Sequence, residues 1–257
     1  MSVTDTCPFC PRLCRHVCPV TSATAREAAT PTAIATVLRL VGEGKLPAEL
    51  AAAALELCNG CGACKRHCGV QQDVPALVRA QRDRPVPAAL PELLPADGVR
   101  TIRVDIGSEA GPGAAATSDA LGHATLMVGD DRHVQRVAAH FAGWTVVTGS
   151  HAVAEVLSAA AGLAGKYGVR VIMDAPPESG PRFLTCWEGA NGVDGQIACC
   201  GAREGYERRQ PGIAGAMAGE VVRRMGTRKH TCADSHCASW LRAHGGEVEG
   251  PRADQSR

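Results

Sequence analysis

The eleven residues Cys58-Asn-Gly-Cys61-Gly-Ala-Cys64-Lys-Arg-His-Cys68 limit what this chain can fold into more than any other stretch. Four thiols separated by two, two and three residues cannot pair as neighbouring disulfides without severe strain, because a disulfide needs its two Cα atoms at a set separation and angle. They can surround one compact inorganic cluster, and the spacing is that of a [4Fe–4S] ligand run. A related quartet, Cys7, Cys10, Cys14 and Cys18, stands upstream and is followed by Pro19. Its second gap, Pro11-Arg12-Leu13, is one residue longer, so that loop must bulge locally. Cys-x-x-Cys pairs also suit tetrahedral zinc, but structural zinc normally draws on two well-separated pairs, and each quartet here is contiguous.

The chain has thirteen cysteines in 257 residues, an odd number in a chain too long for a small disulfide scaffold. Met1 to Thr6 is short and polar and does not read as a leader peptide, so the cysteines are expected to be reduced ligands in a cytoplasmic setting. No apolar run approaches the roughly 20 residues that span a bilayer, which leaves only peripheral association with a membrane open. Lys plus Arg (27) nearly balance Asp plus Glu (26), and there are only three Trp, two Tyr and three Phe. Neither a basic footprint nor a set of base-stacking rings is present, which argues against nucleic acid as a partner.

Between the quartets the pattern is helical. Thr30 suits an N-cap and Pro31 the first helical position, Ile34, Val37, Leu38 and Val41 form an apolar stripe, and Gly42 and Gly44 end it. A second helix is expected from about Pro47 through Leu50, Ala54 and Leu57 into the Cys58 loop. Residues 71–98 are proline-rich and lose periodicity after Arg82, and Gly107–Gly122 has little pattern. From about Ala124 strands and helices alternate: strands at Thr125–Val128, Thr145–Val147, Val169–Met173 and Phe183–Thr185, helices at Val134–Phe141 and His151–Tyr167. That order predicts a mainly parallel sheet with covering helices. No Gly-x-Gly-x-x-Gly follows any of these strands. The expected organisation is a helical domain over 1–82, a proline- and glycine-rich linker or arm over 83–122, and an α/β domain over 123–257.

A second group of cysteines lies in the carboxyl half. Cys199-Cys200-Gly201 places two thiols at a turn that Gly201 can sharpen, with Cys186 upstream and Cys232 and Cys237 downstream. Cys232 falls in an expected strand, His230–Ala233. Between the turn and that strand a helix is expected from Pro211, with Ile213, Met217, Val221 and Met225 on one face. A last helix would carry Cys237, Trp240, Leu241 and His244, with Cys237 near its N-terminus, where the dipole favours a thiolate. Buried cysteines also serve as ordinary small hydrophobes, which is the plainer account of these five.

The two quartets resemble those of two-cluster ferredoxins, in which the fourth cysteine of each run ligates the other cluster. That resemblance implies one [4Fe–4S] cluster on Cys7, Cys10, Cys14 and Cys68, and a second on Cys58, Cys61, Cys64 and Cys18. With Cys199-Cys200-Gly201, Tyr206, Gln210-Pro211 and Ala233-Asp234-Ser235-His236-Cys237, nearly the whole chain resembles the iron–sulfur subunits related to heterodisulfide reductase and glycolate or lactate oxidase. Members of that family join an α-helical ferredoxin domain to a cysteine-rich "CCG" domain, usually with two cysteine-rich repeats. Residues 100–168 contain no cysteine, so the chain looks like a shortened member that keeps only the second repeat. The resemblance implies an α+α/β chain and an electron-transfer subunit of an oxidoreductase complex, fed by a flavoprotein dehydrogenase or an electron-transfer flavoprotein. It also implies a CCG site at which Cys186, Cys199, Cys200, Cys237 and Cys232 could hold a third iron–sulfur cluster or zinc. One alternative is a heterodisulfide-reductase-like enzyme in which Cys199 and Cys200 carry out disulfide chemistry. Another is a zinc-binding interaction module. Arg12, Arg15, Lys65 and Arg66 would make the cluster loops locally basic and suit an acidic partner.

Overall fold

The computed structural model describes residues 3–11, 13–82, 87–92, 100–105, 114–117, 121, 131–150, 153–154, 157, 167–174, 181–183 and 199–251. Helices and parallel β-structure are both present, so the chain is of mixed α and β class. It divides into two units: residues 1–82, 183–228 and 240–247 form the first, and residues 83–182, 229–239 and 248–257 the second.

The amino-terminal part of the first unit is built from short helices. These are α1 (Val3–Thr6), α2 (Pro19–Thr24), α3 (Pro31–Gly42), α4 (Ala48–Leu55), α5 (Ala63–His67) and α6 (Val74–Gln81). The start of α3 follows the sequence closely. The Thr30 hydroxyl accepts from the Ala33 N–H, and Pro31 takes the first position, where its missing N–H costs nothing. Asp73 caps α6 in the same way through Ala76. Ile34, Ala35 and Leu38 of α3 pack with Ala51 and Leu55 of α4 and with Val74 and Val78 of α6. In α4, Leu50 is 70% exposed, and Ala51 and Leu55 face the core.

The chain returns to this unit at residue 183 and again at residue 240. Here α8 (Tyr206–Arg209) leads into α9 (Pro211–Met225), the helix expected from Pro211. The buried face of α9 is Ala214, Met217, Ala218 and Val221, with Ile213 and Met225 only half-buried. Alanine at two of those positions lets α9 approach closely. Ala214 and Met217 join Val20, Ala29, Cys61, Cys199 and Tyr206 in one apolar cluster. The Cys199–Gly201 turn and α9 therefore group with the amino-terminal helices and not with the α/β segment, a different division from the one expected at residue 123. Burying the apolar faces of α2 and α9 against each other is the physical reason.

The second unit holds a four-stranded parallel sheet in the order β2-β1-β3-β4. Its strands are β1 (Thr101–Asp105), β2 (Ala114–Thr117), β3 (Thr145–Thr148) and β4 (Arg170–Met173). β1 pairs Ile102 with Val146 of β3, and β3 pairs Val147 with Ile172 of β4. Between β2 and β3 runs α7 (Asp131–His140), whose Val134, Val137 and Ala138 pack with Ile102, Val104, Val146 and Phe141. Val153, Ala154, Leu157 and Tyr167 are helical, as expected for 151–167. A smaller sheet joins β5 (Arg182–Phe183), β6 (His230–Cys232) and β7 (Val248–Glu249), with β6 and β7 parallel.

Two strands thus lie inside 83–122, the stretch read as linker or arm. Part of it does behave as an arm. The Arg136 guanidinium donates to the carbonyls of Pro87 (2.6 Å) and Ala88 (2.8 Å), and His140 Nε2 lies 2.7 Å from the Pro91 carbonyl, so 87–92 is strapped to α7. The strand expected at Thr125–Val128 lies outside the described residues, as do Leu184 and Thr185 of the strand expected at 183–185.

A candidate iron–sulfur site in the first unit

Each quartet sits where short helices begin or end. Cys7 opens a short 3-10 helix over Cys7–Phe9, Cys14 lies in a second one over Leu13–Val17, and Cys18 immediately precedes Pro19 at the head of α2. Cys64 is in α5 and Cys68 follows its last residue. Gly60 and Gly62 both have positive φ (75° and 74°), which bends the Cys58–Cys64 loop in a way that side-chain-bearing residues resist.

The thiols fall into two groups. Cys18, Cys58, Cys61 and Cys64 line one narrow, mostly apolar cavity together with Ile34, Val74 and Pro75. Burial pushes the Cys58 thiol up to about 12, with Cys61 and Cys18 adding to the rise and Arg82 opposing it. Burial likewise raises Cys64, and its neighbours Cys61, Cys58 and Cys18 add to that. In the other group burial pushes Cys7 up to about 11, reinforced by Cys68, Cys14 and Cys10. Cys14 is raised for the same first reason, against the Thr32 hydroxyl 4.0 Å away. Cys14 of the first run also raises Cys64, so the two groups lie near each other.

This chemistry suits a cationic centre. Four crowded, buried thiols resist ionisation, and bound iron removes the protons outright. Among the described residues no three His, Cys, Asp or Glu side chains are arranged to hold a single metal ion.

Hydrogen bonds brace the Cys58 loop from residues far away in sequence. Arg82 is the residue that follows α6; its Nη2 donates to the Leu55 carbonyl at 2.9 Å and also to the Cys58 carbonyl. The Leu55 carbonyl, in the last turn of α4, also accepts from the Cys58 N–H at 3.1 Å, and a helix C-terminus is a favourable place for a guanidinium. Glu56 bridges Arg82 (3.3 Å) and Arg209 (2.8 Å). The Tyr206 hydroxyl donates to the Leu57 carbonyl at 3.1 Å, and burial raises its pKa. Asn59, almost fully buried, accepts from the Cys61 N–H at 3.3 Å and donates to Cys199 Sγ at 3.0 Å. Of these residues the sequence flagged only Tyr206.

The carboxyl-half cysteines are divided between the two units. Cys199 and Cys200 belong to the first unit, where Trp240 Nε1 donates to the Cys200 carbonyl at 2.9 Å. Cys232 and Cys237 belong to the second, and Cys186 lies outside the described residues. In the second unit the Cys237 N–H donates to Asp234 Oδ1 at 2.7 Å at the start of α10 (Ser235–Ala243), matching the expected position near a helix N-terminus. The expected basic surface is weaker than its composition suggests. Arg15 pairs with Glu27 (2.5 Å), Lys65 pairs with Asp73 (2.7 Å), and Arg12 is outside the described residues.

No helix among the described residues is long and apolar enough to cross a membrane. No family model matches the chain, and neither a curated protein nor a solved structure is significantly similar to it.

Proposed function

We propose that this chain is an iron–sulfur electron-transfer subunit whose first unit is an α-helical ferredoxin domain. The observation that carries the reading is that Cys18 lines the same cavity as Cys58, Cys61 and Cys64, leaving Cys68 with Cys7, Cys10 and Cys14. Two [4Fe–4S] clusters held in this way would store and pass single electrons.

The residues of the chain have distinct parts in that work. The eight cysteines would fix the iron, and the apolar cluster around Val20, Ala29 and Met217 packs against Cys61 of the second site. The Gln72 N–H points at Cys68 Sγ (3.5 Å), the kind of contact that tunes a cluster's potential. Arg82 keeps a positive charge against the Cys58 carbonyl. Phe9, 73% exposed, and Val70, 59% exposed, stand beside the Cys10 and Cys68 ligands and suit the docking of a protein partner such as a flavoprotein dehydrogenase or an electron-transfer flavoprotein.

Anaerobic purification with iron counting and EPR tests this. About eight irons per chain would match two cubanes, and about twelve would add a third. Cys18→Ser should remove the EPR signal of one cluster while leaving the other. A reconstituted chain with no reducible chromophore would refute the proposal.

A further inference from the structure

A cavity of about 440 Å³ opens in the first unit beside the second cysteine group. It is lined by residues of α2, α5 and α9 and by Cys61 and Cys199. We infer that it binds a small organic anion with an apolar, redox-active body, which would exchange electrons with the iron–sulfur centre proposed on Cys18, Cys58, Cys61 and Cys64. The inference rests on the electron-transfer reading and names the kind of partner that would use its second site.

The volume lies within the roughly 300–1,000 Å³ of ordinary ligand pockets. Ala23, Met217 and Val221 supply apolar wall, while His16, Arg66, His67 and Arg224 supply cationic or ionisable groups. Glu220 is the acid in the lining, and it is outnumbered: Arg223 (2.8 Å) and Arg224 (2.7 Å) both pair with it. Arg66 is anchored by donating to the Cys61 carbonyl at 3.0 Å. Cys61 and Cys199 are 7% and 6% exposed, yet both line the cavity, so a seated molecule reaches sulfur that bulk water hardly touches. Asn59 holds Cys199 in that position. A concave site of this kind suits a small molecule, whereas the protruding Phe9 and Val70 at the other quartet suit a protein.

The redox step draws on an external low-potential reductant. Oxidised flavin phosphate takes two electrons from it, one at a time, and two protons from water, giving the dihydroflavin, while a reductant such as dithionite is oxidised to sulfite.

The test uses the full-length, iron-loaded chain in equilibrium dialysis against flavin mononucleotide and against lumiflavin, which has the ring without the phosphate. Flavin mononucleotide should bind with a dissociation constant in the micromolar range, and lumiflavin about tenfold or more weaker, equivalent to about 1.4 kcal/mol. Arg224→Glu, at an exposed position, should weaken flavin mononucleotide about tenfold and lumiflavin little. Ala23→Phe should weaken both by filling the wall, and thermal melting checks that each variant folds. Failure of flavin mononucleotide to bind by about 1 mM, or equal binding to the folded parent and Arg224→Glu, overturns the inference. Iron content and EPR on the same samples separate the two ideas. Clusters without flavin binding sink only this inference, whereas flavin binding without clusters sinks the electron-transfer reading.

Discussion

Gly201→Ala is the sharpest probe of how the carboxyl half covers the Cys58 loop. Gly201 has φ 93°, and a Cβ there would lie 2.8 Å from the Ala214 carbonyl oxygen and 3.0 Å from the Ala214 Cα. Both are backbone atoms of α9, so no side chain can swing aside. The left-handed backbone costs an L-residue about 1–2 kcal/mol, and overpacking of this kind about 1–3 kcal/mol. The sum, roughly 2–5 kcal/mol, is a large part of the stability of an ordinary domain. Gly219→Ala is the control on the same helix. A Cβ at that position would meet nothing within 4 Å, and the substitution should gain up to about 1 kcal/mol in helix propensity. Urea unfolding followed by far-ultraviolet circular dichroism reads both. A Gly201→Ala midpoint within about 0.5 kcal/mol of the parent, with Gly219→Ala stabilised, would refute the packing of α9 on the Cys199–Gly201 turn.

Three further outcomes are expected. Tyr206→Phe should cost about 1 kcal/mol in urea unfolding, because it strands the Leu57 carbonyl; no measurable loss would mean that this bond contributes nothing to stability. Arg82→Gln should cost about 1–3 kcal/mol and Arg82→Lys should recover only part of it, since an ammonium cannot reproduce the planar fork that reaches Leu55, Cys58 and Glu56; full recovery by lysine would show that charge alone matters. At Asp73 burial works against ionisation, but Lys65 and the Ala76 N–H outweigh it and hold the pKa below its ordinary value. A lowered acid contributes stability above the unfolded value, near 3.9, and loses it as pH falls through the folded one. The melting-temperature gap between the parent and Asp73→Asn, which keeps the cap, should therefore close below about pH 4, and a gap constant to lower pH would contradict the Lys65–Asp73 pair.

What the residues alone disclose is local. The two quartets are conspicuous because eight cysteines fall at short, regular gaps, and α3 is legible because Thr30-Pro31 marks its start. The face expected for α9 is one step off, since Ala214 and Ala218 carry little hydrophobic signal yet allow the closest approach. β1 and β2 are missed for a related reason. Thr101–Asp105 adjoins the proline-rich stretch read as linker, and Ala114–Thr117 is almost all alanine, which favours no sheet by itself. The bracing of the Cys58 loop by Asn59 with Cys199, Tyr206 with Leu57 and Arg209 with Glu56 spans 140–153 residues of sequence, and no local pattern foretells such pairs. The cavity beside Cys61 is equally a product of packing between distant helices.

The discontinuity of the first unit bears on how the molecule is made. Residues 1–82 leave the ribosome long before 199–225, so the amino-terminal helices must wait with Val20, Ala29 and Cys61 lacking Ala214 and Met217 as neighbours. During that interval the apolar surface is open to chaperones and to oxidants. Arrival of α9 closes the window.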